Sequence, residues 1–171
     1  MKHTFTVDAS HNQESGKIGI GILIQETTAI ARRKRGQIID TLFESFTPDE
    51  IYHGDMELYA IYRSFQIAID RGYRHIHVRT DYNWNKRRIN KALKAGSQSD
   101  DSSLFQKTLT LARAIEQVKV SYLPRRKNQI AHQLARKGAG ISSKPKERYD
   151  KTYFDEFSYY QYYADENLDI F

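Results

Sequence analysis

Three carboxylates, Asp8, Glu57 and Asp81, fall where a folded chain can bring acids together. Asp8 closes a run, Lys2 to Ala9, in which Phe5 and Val7 alternate with Thr4, Thr6 and Asp8. Such alternation predicts a strand ending in an acid. Asp81 closes a second alternating run, His75 to Asp81, with Ile76, Val78 and Thr80 opposed to His77, Arg79 and Asp81. Glu57 lies in the first turn of an amphipathic stretch. If the two strands are parallel neighbours, their terminal acids sit about 4.8 Å apart at the backbone. Three acids that close repel one another and raise one another's pKa values, and a divalent cation is the natural neutraliser. Two such ions could activate a water and stabilise the leaving oxygen of a phosphodiester. Taken singly, each acid also fits a structural role: strand end, partner of a helix dipole, turn cap.

The elements that must position these acids follow from the pattern. A turn over Asn12 to Gly16 joins the first strand to Ile18–Gln25, where Gly19 and Gly21 interleave with Ile18, Ile20 and Ile22, predicting an antiparallel hairpin. A third strand spans Gln37 to Phe46 after the basic tip Arg32 to Arg35, and Pro48 stops it. A helix runs from Asp55, in the capping position, to Arg71, with Gly72 at its C′ position. Trp84 to Ala95 reads as a short basic helix ended by Gly96, and Ser97 to Ser103 as a polar linker. Asp101, Ser102 or Ser103 caps a helix carrying Leu104, Thr108, Leu111 and Ile115. Val118 to Leu123 forms a last strand, and Asn128 caps a helix to about Lys137. Three consecutive strands followed by helix and strand in alternation predict an α/β fold. Its mixed five-stranded sheet, an antiparallel meander and then parallel strands, is flanked by helices.

Composition narrows the chemistry. The 171 residues contain no cysteine, which excludes disulfides, thiolate metal sites and cysteine nucleophiles. Any metal is then held by carboxylate, imidazole or water, and carboxylates favour hard ions such as Mg²⁺ or Mn²⁺. No run approaches the length of a membrane span, and no signal-peptide core precedes the first strand, so the expectation is a cytoplasmic protein with no membrane partner. The net charge of +6 is unevenly distributed. Residues 1–148 hold 26 basic and 15 acidic groups, whereas 149–171 hold one and six, giving +11 and −5. A basic body predicts a polyanionic partner.

The motifs together resemble the type 1 ribonuclease H family. Phe5-Thr-Val-Asp8-Ala-Ser10 is similar to its opening strand, Met56-Glu57-Leu58-Tyr59-Ala60-Ile61 to its Glu-Leu-x-Ala helix start, and Val78-Arg79-Thr80-Asp81 to its strand ending in Thr-Asp. Asn128-Gln-Ile-Ala131-His132-Gln-Leu134-Ala135 resembles its closing motif. The resemblance spans roughly residues 3–138, in the family's order. It implies a ribonuclease H-like fold over 1–140, and catalytic, metal-holding roles for Asp8, Glu57, Asp81 and His132, the last standing where many members carry Asp. It further implies two Mg²⁺ ions per site, Mn²⁺ serving as an alternative, and in-line attack of water on the RNA strand of an RNA–DNA hybrid, leaving a 5′-phosphate and a 3′-hydroxyl.

Expected nucleic-acid contacts are Ser10 and Asn12 near the first acid, Trp84, Lys86 and Arg87 on the basic helix, and Arg125, Arg126 and Asn128 before the last helix. Turn chemistry is the alternative for Ser10 and Asn12, and a solvated helix face for the lysines and arginines. Tyr82 replaces the family's usual small residue after the second Asp, and no Gly-His-x-Gly segment precedes the last helix. The histidine at position 132 and the missing loop histidine support a second reading, a catalytically weak module that binds nucleic acid or protein. A third reading keeps the acids for a nuclease acting on other RNA or DNA structures. Residues 141–148 read as a linker, and 149–171 as an acidic, tyrosine-rich extension that packs on the body, binds a protein partner or lies along the substrate groove.

Overall fold

A five-stranded sheet, ordered β3-β2-β1-β4-β5, organises the described residues. In the computed structural model, residues 1–27, 36–96 and 103–142 are described. The basic tip Arg32 to Arg35, linker residues 97–102 with the caps Asp101 and Ser102, and the linker and extension beyond Ser142 lie outside the described residues. β1 (Lys2–His11), β2 (Ile18–Thr27) and β3 (Gln37–Phe46) form the antiparallel meander. β4 (His75–Thr80) joins β1 in parallel and β5 (Gln117–Tyr122) joins β4 in parallel. The helices are α1 (Met56–Asp70), α2 (Asn83–Ala95), α3 (Ser103–Ala114) and α4 (Gln129–Gly138). None is long and apolar enough to cross a membrane.

β1 is buried on both faces, from His3 through Ser10. Phe5 and Val7 enter the main core with Leu58, Ile61 and Phe65 of α1, Ile89 of α2 and Phe105 and Leu109 of α3. The opposite face meets α4, whose Ile130 and Leu134 pack on Leu23 of β2. Simple alternation cannot reveal this second cover.

α4 can approach because of two glycines in β2. A Cβ at Gly21 would collide with the Ala131 carbonyl and the Ala135 amide, and one at Gly19 with the Ala135 carbonyl and the Ala139 amide. Helix backbone therefore lies directly on strand backbone, where only glycine fits. Asparagine amides tie the helix at both ends: Asn128 Nδ2 donates to Val7 O at 3.0 Å, and Asn12 Nδ2 to Ala139 O at 3.2 Å.

Two expected caps take a different form. Asp55 occupies the N-cap of α1, but its side chain makes no capping bond. The helix is entered from a 3-10 turn, His53–Asp55, so Asp55 has helical φ and ψ instead of the extended backbone from which a carboxylate reaches back. Asn128 likewise makes no side-chain cap: with its Nδ2 donating to Val7 O, its Oδ1 is buried away from the helix amides. The C-terminus of α1 matches expectation: Gly72 has φ +68, Tyr73 N donates to Ala68 O at 2.8 Å and Gly72 N to Ile69 O at 3.0 Å, the paired bonds of a Schellman motif.

Two stability predictions follow from this packing. Gly21→Ala forces α4 off the sheet and costs about 3 kcal/mol, read as a Tm drop of about 6–12 °C. His77 is buried, and burial followed by the charges of Arg79, Lys119 and Lys2 lowers its pKa to about 3. The unfolded chain therefore takes up a proton near pH 6.5 that the folded chain refuses until about pH 3. Stability from neutral His77 is fully present above pH 6.5 and falls by up to about 1.4 kcal/mol per pH unit below it. Denaturant unfolding of His77→Gln between pH 6.5 and 4 should show a shallower acid slope than the unaltered protein.

Candidate active site

The β1–β4 register places the acids. Their parallel ladder ends at Val7 opposite Thr80, so Asp8 and Asp81 are the next residue on each strand. Asp81 follows the end of β4 as expected. Asp8, in contrast, is not the end of its strand: β1 continues to His11, still paired with β2, with Asp8 opposite Gly21. Asp8 is held by sheet on one side and open to Asp81 on the other. It is 2% exposed.

Glu57 reaches the same point from the first turn of α1 and accepts a hydrogen bond from the Ala9 amide, on the stretch of β1 that outruns β4. One oxygen from each of Asp8, Glu57 and Asp81 can lie within 4.8 Å of the other two. Burial, then the charges of Asp8 and Asp81, push the Glu57 carboxyl well above the usual carboxylate range, with partial relief from Arg125 and the Ala9 amide. Burial, then Asp8, push Asp81 up to about 6, again eased by Arg125. Arg125 thus stands beside the cluster as its nearby cation. It lies on an exposed 3-10 turn, Arg125–Lys127, between β5 and α4.

His132, one turn into α4, comes to the cluster through Asp8: His132 Nδ1 is 2.7 Å from Asp8 Oδ2. An ionised carboxylate only accepts, so in that pairing the ring nitrogen Nδ1 is the donor. The four expected residues therefore converge, with His132 attached to Asp8 and outside the set of three mutually close carboxylates.

The donor set fits a hard divalent cation. It is all carboxylate, and Glu57 Oε2 is buried with no hydrogen-bond partner among the described residues. A buried oxygen left without a donor is costly unless something positive meets it.

The expected nucleic-acid contacts divide into two groups. Tyr82 and Trp84 are 45% and 60% exposed next to Asp81, with Arg87 exposed and Lys86 half-buried on the first turns of α2. Arg125 and Arg126 are exposed on the turn before α4. Ser10, by contrast, is buried on β1. Asn12 Oδ1 accepts the amides of Glu14 and Ser15 while its Nδ2 holds Ala139 O, which is turn and tether chemistry. Asn128 is 1% exposed and committed to Val7, so its side chain is withdrawn from any groove. The sequence reading passed over Tyr122, the last residue of β5, which is exposed and lies opposite Thr80. A large aromatic closing a strand just before Pro124 was the available signal.

With this geometry in hand, comparison with known proteins is decisive about family. A family profile described as reverse transcriptase-like matches residues 6–138. The chain belongs to that family. Its domain is ribonuclease H-like, and solved structures agree in fold. The ribonuclease H1 of the halophilic archaeon Halobacterium salinarum superposes with a TM-score of 0.61 at 17% identity, covering 83% of this chain and 100% of that one. A compost-derived ribonuclease H1, solved with an RNA/DNA hybrid, gives 0.59 at 16% identity over 81% and 96%. The N-terminal ribonuclease H domain of a Mycobacterium tuberculosis protein gives 0.60 at 16% over 81% and 94%. Among curated proteins no sequence match reaches significance.

The crowded acids of this ribonuclease H-like domain predict a stability effect. Asp81 has its folded pKa raised to about 6, so its contribution is favourable below the unfolded value and turns unfavourable as pH rises through 6. Without metal at pH 7.5, Asp81→Asn should stabilise by about 1 kcal/mol after allowance for screening at this half-exposed site. That is a Tm gain of about 2–4 °C. Mg²⁺ should raise the Tm of the unaltered protein and leave that of the variant nearly unchanged.

Proposed function

We propose that this protein is a metal-dependent endoribonuclease that hydrolyses the RNA strand of RNA–DNA hybrids, leaving 5′-phosphate and 3′-hydroxyl ends. The observation that carries the reading is the convergence of Asp8, Glu57 and Asp81 on one point, with Glu57 Oε2 buried and without a hydrogen-bond partner among the described residues. In this reading the three carboxylates, with His132 behind Asp8, would hold Mg²⁺ or Mn²⁺, two ions per site. When bound, the ions supply Lewis acidity to the scissile phosphate and lower the pKa of water.

The chain's own residues do the remaining work. His132 fixes one oxygen of Asp8 through Nδ1, which orients the other. Arg125 draws the phosphate backbone toward the acids, whose own charge would repel it. Tyr82, Trp84 and Tyr122 offer exposed rings at the carboxyl ends of β4 and β5, where bases or sugars can stack. Lys86, Arg87 and Arg126 supply phosphate contacts on either side. The relative solved with an RNA/DNA hybrid supports this choice of substrate.

One observation favours a second reading, a binding module with little catalysis: His132 contacts Asp8 and stands outside the three-carboxylate set. A labelled RNA–DNA hybrid separates the two. With Mg²⁺ or Mn²⁺, the unaltered protein should cut the RNA strand, and Asp8→Asn and Asp81→Asn should each lose at least about 100-fold in rate, as expected for removal of charge at a metal site. Equal inertness of all three with hybrid binding intact would establish the module instead.

A further inference from the structure

A cleft of about 380 Å³ opens among the described residues on the face of α1 turned away from Glu57. Tyr59 and Tyr62 line it, and they follow Glu57 by two and five positions, roughly 200° and 140° round the helix. The loop before α1 adds Glu50, Tyr52 and Asp55, and the first turns of α3 add Lys107. Its size is that of a small-ligand site, and no member of the acidic cluster contributes to it. The rings are held in place. Tyr59 packs edge-on with Phe46, ring centroids 5.1 Å apart, and lies 5.6 Å from Tyr62 at a tilt of 45°. Tyr62 Oη accepts a hydrogen bond from Gln66 Nε2 at 2.9 Å. Tyr52 is 68% exposed, yet its ring rests against Gly54, where a Cβ would come within 2.6 Å of it, and it meets the His53 ring edge to face at 4.9 Å.

The charge on the lining is mostly negative, Glu50 and Asp55 against Lys107. Glu50 Oε2 accepts from the Thr47 amide at 2.7 Å and from its hydroxyl at 3.0 Å, and these bonds hold the Glu50 carboxyl below the usual range, so it stays ionised. Asp55 spends no side-chain bond on capping α1. Burial raises the Tyr59 hydroxyl above its ordinary value, Arg63 draws it back, and Glu44, Tyr62 and Glu50 add to the rise. Aromatic faces beside carboxylates attract a cation and disfavour an anion. A guanidinium answers both, because it is flat and weakly hydrated, stacks on rings and forks onto carboxylate oxygens. Lys107 is exposed, and its long stem lets its ammonium turn into water when a guest arrives. We propose that this cleft binds the side chain of an arginine presented by a partner polypeptide, in contact with the three tyrosine rings and with Glu50 and Asp55. Because Glu50, Tyr52 and Lys107 are exposed, the cleft leaves its guest partly in water, which suits a side chain whose backbone stays outside.

Titration of the full chain with the peptide acetyl-Ala-Arg-Ala-amide, followed through the tyrosine ring protons by NMR, tests this. Saturable shifts at Tyr52, Tyr59 and Tyr62 in the millimolar range are expected. The citrulline peptide, of the same shape without the charge, should bind at least about 5-fold more weakly. Tyr52→Ala and Glu50→Gln alter exposed side chains, and each should weaken the arginine peptide by about 2- to 5-fold. Lys107→Gln should bind it as well or better, since only a competing cation is removed. Shifts centred on Asp8, Glu57 and Asp81 would put the arginine on the acidic cluster, and equal binding of the citrulline peptide would remove charge from the recognition. Methylguanidinium binding as tightly as the peptide would make the guest a small free cation, and weaker binding by Lys107→Gln would give that lysine a part that a cation site has no use for. Each of these overturns the proposal, as does unchanged affinity in Tyr52→Ala or the absence of any saturable shift.

Discussion

Everything in the site depends on one register: Val7 opposite Thr80 in the parallel ladder of β1 and β4. That pairing is what makes Asp8 and Asp81 neighbours despite the long intervening chain. A slip by one residue would turn one of the two acids to the other face and dissolve the cluster. The register is in turn fixed by Phe5, Val7, Ile76 and Val78, which are buried together beneath α1, α2 and α3. Hydrophobic burial distributed over the sheet thus holds these charges together, and the raised pKa values of Glu57 and Asp81 reflect burial first and repulsion by the neighbouring acids second.

The second requirement is that α4 come close enough for His132 to touch Asp8. Gly19 and Gly21 remove the side chains that would keep it away, and the amides of Asn128 and Asn12 fix its two ends. Because the contact is backbone on backbone, the helix has little room to slide or roll. His132 is therefore presented at one height and one angle. A histidine here also leaves the cluster with three carboxylates where an aspartate would add a fourth, which matters at a site where Arg125 already offsets the crowded acids.

Much of this was readable before any coordinates. β3 spans Gln37 to Phe46 as its pattern predicts, and the order of elements and the three acids follow from alternation and motif spacing. What escaped were matters of three-dimensional commitment. Asn12 and Asn128 are polar residues near the site, and sequence alone cannot say that their amides are spent on carbonyls more than 120 positions away. Asp55 occupies a capping position, but the 3-10 turn that spoils its reach depends on the path of the preceding loop. The burial of both faces of β1 is invisible in a pattern of alternating Thr and aliphatic residues, since the cover is a helix that follows more than a hundred residues later. The interleaved glycines of β2 were visible as a hairpin feature, but their meaning as a helix seat appears only with α4 in place.

The docking of α4 also gives the molecule a clock. α4 is the last described helix to leave the ribosome, and it seats on β1 and β2, the first two strands to do so. Contacts this distant in sequence close late in folding. Until they close, the glycine seat on β2 is bare, Val7 O lacks its asparagine and Asp8 lacks His132. A nascent or truncated chain that ends before residue 128 can hold all three acids and still lack the helix and the histidine that meet them.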